Sequence, residues 1–181
     1  MDRLDDFESK SLPEQMSLLS ALVKENDFDA IPMLITLAEK VRKQEVAGLM
    51  LRDTLTSLLS GSEKHTVEHL SSGSREIREI SIQVAGRKHF TSAVPILQDM
   101  AGQADANNDR DMLFSILTSL ALIEPRDSLD LFRKHTGHED SLISSLCIKT
   151  VGALSDSASL DSLRRIITEA EADGNYEECG L

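Results

Sequence analysis

Asp29-Ala30-Ile31-Pro32-Met33-Leu34 and Ser92-Ala93-Val94-Pro95-Ile96-Leu97 are near copies of one hexapeptide within a chain of 181 residues. Each carries at its fourth position a proline that a helix accepts only in its first turn, where the missing N–H has no carbonyl to reach. A duplicated helix head is the mark of a repeat architecture. Alignment on the apolar residue before the proline, Ile31 and Val94, finds weaker copies anchored at Val67, Leu129 and Leu160, at intervals of 36, 27, 35 and 31 residues. Eight residues before three of these anchors stand Gly86, Ala121 and Gly152, small enough for consecutive helices to approach closely at the turn.

Apolar residues recur at helical spacing along nearly the whole chain, as in Ile77, Ile80, Val84 and in Ile143, Cys147, Val151, Leu154. No strand alternation interrupts them. Breaks rich in Gly, Ser, Asn or Asp fall at 25–28, 60–63, 71–74, 87–90, 105–108, 124–126, 136–138 and 155–157, so about ten short helices are expected. Pro13, Pro32 and Pro95 mark helix starts, and Pro125 is expected at the head of a helix over 126–134. Ser11 and Glu14 have capping-box spacing. With five Phe, one Tyr and no Trp, the composition also disfavours a β-rich fold.

The Ala-Ile-Pro and Ala-Val-Pro heads, together with Ser74–Gly86, whose helix begins Glu76-Ile77-Arg78 and ends on a small residue, resemble the HEAT family of α-solenoid repeats. The resemblance covers roughly residues 13–171, with Arg78 as the clear match to the arginine that family members stack from turn to turn. It implies an all-α chain wound as a right-handed superhelix of about five helix-turn-helix repeats. Each two-helix unit cannot bury its apolar face alone and must stack on its neighbours. Residues 1–12 are then expected as an acidic leader, 13–171 as a single repeat domain and 172–181 as an acidic flexible tail, and the chain is also compatible with a piece of a longer array.

The formal net charge is -12, with residues 1–30 and 169–181 each carrying -5 and the middle nearly neutral. Neither nucleic acid nor an anionic membrane surface is therefore expected as a partner, since both reward excess Lys and Arg. The one basic cluster, Arg75, Arg78, Arg87 and Lys88, is offset by Glu76 and Glu79. Cys147 and Cys179 are too few for a disulfide framework, no apolar run approaches the ~18 residues of a membrane span, and the acidic start lacks the pattern of a signal peptide. A cytoplasmic protein is expected.

Three patterns resemble chemistry. His65-Thr66-Val67-Glu68-His69 reads as H-x-x-E-H, in which two histidines one helical turn apart hold zinc beside a carboxylate. Its short helix and the use of Val67 as a repeat anchor favour an ordinary solvated helix face. His135 and His138 flank Gly137 beside Glu139 and Asp140; a helix-joining turn is the preferred account, with Gly137 as a left-handed cap and Asp140 starting the next helix. Cys147 lies on an apolar stripe and reads as a buried structural thiol, while acidic neighbours of Cys179 dull its reactivity. No catalytic residue, metal or cofactor is expected.

In the HEAT family the second helix of each unit lines a concave groove. Counting back from Gly86 and its equivalents, the resemblance implies groove positions at Arg52 and Thr56, Glu79 and Gln83, Phe114 and Thr118, and Ser145 and Lys149, with Arg75 and Arg87 of the basic cluster beside them. Phe114 is equally compatible with the core of a helix that is apolar all round. A lane of charge, amide, hydroxyl and one aromatic suits a protein or peptide surface. The expected function is a non-enzymatic module holding a protein or peptide partner in its groove. An enzyme or enzyme subunit on the same repeats, chromophore-lyase-like or DNA-glycosylase-like, is the alternative.

Overall fold

A computed structural model describes residues 4, 6–41, 45–123, 125–154 and 168. The described residues are all-helical, with nine α-helices and no strand, and none of these helices is long and apolar enough to cross a membrane. The anchor at Leu160 and the tail 172–181 with Cys179 lie outside the described residues. The chain divides into two compact units, Met1–Val84 and Ala85–Leu181, and the division falls within the fifth helix.

In the first unit α1 (Leu12–Glu25) starts at Ser11, whose amide donates to the Glu14 carboxylate at 2.9 Å, with Pro13 in the first turn. A single 3-10 turn, Phe28–Ala30, leads into α2 (Ile31–Lys40), again with proline in the first turn. Then follow α3 (Glu45–Ser60), the seven-residue α4 (Glu63–His69) and α5 (Arg75–Lys88). Helices α1, α2 and α4 all pack on α3. Leu51, Leu55, Leu58 and Leu59 of α3 are buried, as are Leu19 and Leu22 of α1 and Ile31 and Leu34 of α2, each Leu or Ile adding about 1.5–3 kcal/mol on leaving water. Leu4 and Phe7, from the acidic leader, are buried with them, and Lys40 of α2 pairs with Glu8. On α4 the buried residue is Thr66 rather than the repeat anchor Val67, because its hydroxyl donates to the Leu59 carbonyl at 2.7 Å.

The second unit contains α6 (Val94–Ala106), α7 (Arg110–Ile123), α8 (Leu129–Lys134) and α9 (Ser141–Ala153). Helix α6 packs on α7, α7 on α9, and α8 on α9, around Leu97, Leu113, Ile116, Leu117, Leu120, Phe132, Ile143 and Cys147. Two expectations change here. Pro125 does not head a helix: residues 125–128 form a turn in which the Ser128 amide bonds the Pro125 carbonyl, and α8 begins only at Leu129. Gly137 is not a left-handed cap, since the left-handed residues of the described chain are Asn26, His89 and Asn108; His135 caps α8 with ordinary negative φ. Asp140 does cap α9, accepting from the Leu142 amide at 2.9 Å.

The duplicated hexapeptide proves to be part of a longer copy. Asn26 and His89, 63 positions apart, are both left-handed, and each lets the next amide bond the fifth residue back: Asp27 to the Leu22 carbonyl and Phe90 to the Ala85 carbonyl. A 3-10 turn follows in each, Phe28–Ala30 and Thr91–Ala93, then the proline-headed helix. Ile31, Leu34, Ala38 and Val41 are buried, as are their counterparts Val94, Leu97, Ala101 and Ala104.

Of the small residues singled out before the anchors, Gly86 has a clear structural reason. A Cβ there would lie 2.8 Å from the Ser119 Cα and 2.9 Å from its Cβ, so what Gly86 admits is the backbone of α7 rather than the helix that follows it. Gly152, by contrast, meets nothing within 4 Å among the described residues. Gly86→Ala gains about 1 kcal/mol of helix propensity but wedges two backbones apart, which costs about 1–3 kcal/mol. Gly102 in α6 faces open space. In urea unfolding, Gly86→Ala is expected to lower the midpoint and Gly102→Ala to raise it; an unchanged or raised midpoint for Gly86→Ala would refute the close approach.

Candidate functional site

The ten groove positions divide evenly between the units, and none of them is buried. In the first unit Arg52 and Thr56 stand on α3, and Arg75, Glu79 and Gln83 on α5. Arg52 Nη1 lies 3.4 Å from the Glu76 carboxylate, linking the two helices, and Arg75 Nε donates to Glu79 at 2.8 Å along α5. These pairs are solvent-facing and worth little individually. Arg78 is turned away to the carbonyls of Ser72, at 2.6 Å, and Gly73, where it closes the turn before α5.

In the second unit Phe114 and Thr118 stand on α7, Ser145 and Lys149 on the adjoining α9, and Arg87 near the end of α5. Phe114 is 36% exposed, so it is not core; the buried side of α7 is carried by Leu113, Ile116, Leu117 and Leu120 instead. Thr56 and Thr118 each donate their hydroxyl to the carbonyl four residues back, Arg52 and Phe114, at 2.8 Å.

One surface was missed because α1 was not counted among the lining helices. Between α1 and α3 runs a shallow groove lined by Met16, Leu19, Ser20, Val23, Met50, Asp53, Thr54 and Ser57. Met16 is 57% exposed, and Leu12, Val46 and Leu49 of the same two helices are exposed as well. The 63-position copy relates Met16 and Ser20 to Glu79 and Gln83, and that register was the available signal.

The histidine patterns also sort out. His65 stacks on Phe28 with ring centroids 4.8 Å apart, and its Nδ1 lies 2.7 Å from the Ser62 hydroxyl, so α4 is partly packed rather than a solvated face. Burial holds the His69 imidazole below its ordinary value, against the pull of Glu68. His135 and His138, read from sequence as a turn, do form one, with the His138 amide bonding the His135 carbonyl; but Asp105 at the end of α6 joins them. One ligand atom from each of these three lies within 4.8 Å of the others, the only such group of His, Cys, Asp or Glu among the described residues. His135 is 3% exposed and its Nε2 has no hydrogen-bond partner, which costs about 1–3 kcal/mol. Lys134 Nζ donates to Asp105 Oδ2 at 2.6 Å, and that bond is the main cause holding the Asp105 carboxyl below its usual range. Burial lowers His135. Cys147 is fully buried and its thiol is pushed up to about 12 by desolvation, the inert structural thiol expected.

No protein-family model, curated protein or solved structure matches the chain.

The lowered imidazoles make stability pH-dependent. A base lowered on folding stays neutral while the unfolded chain takes up a proton near 6.5, so its contribution is complete above that value and is lost as pH falls through the folded pKa. The lowered carboxyls Glu14 and Asp105 contribute above their unfolded values, 4.5 and 3.8, and lose that contribution at lower pH still. Thermal denaturation between pH 7.5 and 5 should show declining stability, and His69→Gln should flatten that decline; an unaltered slope in the variant would exclude His69 as a cause.

Proposed function

We propose that this chain is a non-enzymatic interaction module that holds a protein or peptide partner on the exposed faces of helices built as HEAT-like repeats. The 63-position copy of α1–α2 in α5–α6, with the same left-handed stop, 3-10 turn and proline-headed helix, supports the repeat reading; a right-handed superhelix of about five repeats is what the family resemblance implies. The groove between α1 and α3 carries the binding reading. Met16 and Met50 line it, Leu12, Val46 and Leu49 of the same two helices are exposed as well, and methionine adapts to varied partner shapes. Asp53 and the hydroxyls of Ser20 and Ser57 rim it. A partner segment with one apolar face and a basic residue opposite Asp53 fits this lining. Glu79 and Gln83, the counterparts of Met16 and Ser20, continue the same face of the repeat in polar form on α5, beside the Arg52–Glu76 pair.

Met16→Asp places a charge in the groove without touching the core, because Met16 is more than half exposed. Affinity capture from native lysate should recover a partner with the wild type and with an Arg52→Glu/Lys149→Glu variant at reduced yield, and lose it with Met16→Asp, while all three melt alike. Equal recovery by wild type and Met16→Asp, or no recovery by wild type, rejects the proposal.

A further inference from the structure

Independently of any partner, we infer that Asp105, His135 and His138 form a binding site for one transition-metal ion of the Zn²⁺ class. The three donors come from three places in the second unit: the last turn of α6, the C-cap of α8 and the turn before α9. Two imidazoles and one carboxylate are the donor set of open zinc sites, which complete a tetrahedron with water. Hard cations such as Mg²⁺ and Ca²⁺ prefer all-oxygen sites.

The geometry is that of a site before closure. The donor atoms, all within 4.8 Å of one another, must draw together by about an ångström to share bonds of about 2.0–2.2 Å. His135 is the fixed member, 3% exposed, with a buried Nε2 that nothing in the protein satisfies. Asp105 and His138 are only half-buried. Lys134 already holds Asp105 Oδ2 and orients the carboxylate, leaving the second oxygen as the donor, the part that outer hydrogen bonds play around metal ligands. His138 Nδ1 accepts the Asp140 amide at 3.0 Å. Whichever ring nitrogen takes the metal, that bond ends: either the Nδ1 lone pair goes to the ion, or Nδ1 carries the proton and no longer accepts. Binding therefore ties α6 to the α8–α9 turn and releases an amide beside the cap of α9.

Untagged protein titrated with ZnCl₂ against a chromophoric chelator is expected to take up one ion per chain with micromolar or tighter affinity, and MgCl₂ none. Asp105→Asn and His138→Ala should each weaken uptake about tenfold or more, with His69→Ala leaving it unchanged, and the melting temperature should rise with zinc only where uptake survives. In ¹H–¹⁵N spectra the Asp140 amide should shift on saturation. Absence of uptake, uptake that survives both Asp105→Asn and His138→Ala, or uptake lost in His69→Ala overturns the site.

Discussion

Every helix in this chain has to end, turn and hand over to the next within a few residues, with its last carbonyls still bonded. At α1, α5 and α6 the solution is the same: one residue in the left-handed region, Asn26, His89 or Asn108, folds the following amide back onto the carbonyl five residues behind it. Asparagine tolerates that conformation well, but histidine does so less readily. At His89 the side chain compensates, since its Nδ1–H donates to the Leu122 carbonyl at 2.6 Å. The directions in which α2, α6 and α7 leave these stops determine which apolar stripes meet.

The helical class and most element boundaries were legible because they rest on local chemistry. Proline in a first turn, the Ser11–Glu14 cap and apolar spacing each act within about one helical turn, and the helices follow them. Pro125 misled because a proline suits a tight turn as well as a helix start, and the Pro125–Ser128 turn is fastened by a distant residue: Gln98 donates to the Asp127 carbonyl and to the Ser128 hydroxyl. Gly86 was legible as a requirement for smallness, but its partner Ser119 was not, because nothing near either residue in sequence announces the other.

The site was legible to a lesser degree for the same reason. Counting along helices gave eight positions, and the basic cluster two more, none of them buried, yet periodicity gives only the direction of a side chain, not its neighbours. The Arg52–Glu76 pair and the groove between α1 and α3 depend on how helices pack. The His135–His138 spacing was visible, but Asp105, thirty positions earlier, is brought to it only when α6 and α8 come together. A two-residue motif became a three-residue one through tertiary structure.

Thr56 and Thr118 were chosen as polar positions, and each turns its hydroxyl inward to the helix carbonyl four residues behind. What they present outward is chiefly the methyl group. A molecule docking there as proposed would find these positions greasy rather than wet: they would reward shape and water release, and give little discrimination between partners that differ only in hydrogen-bonding groups.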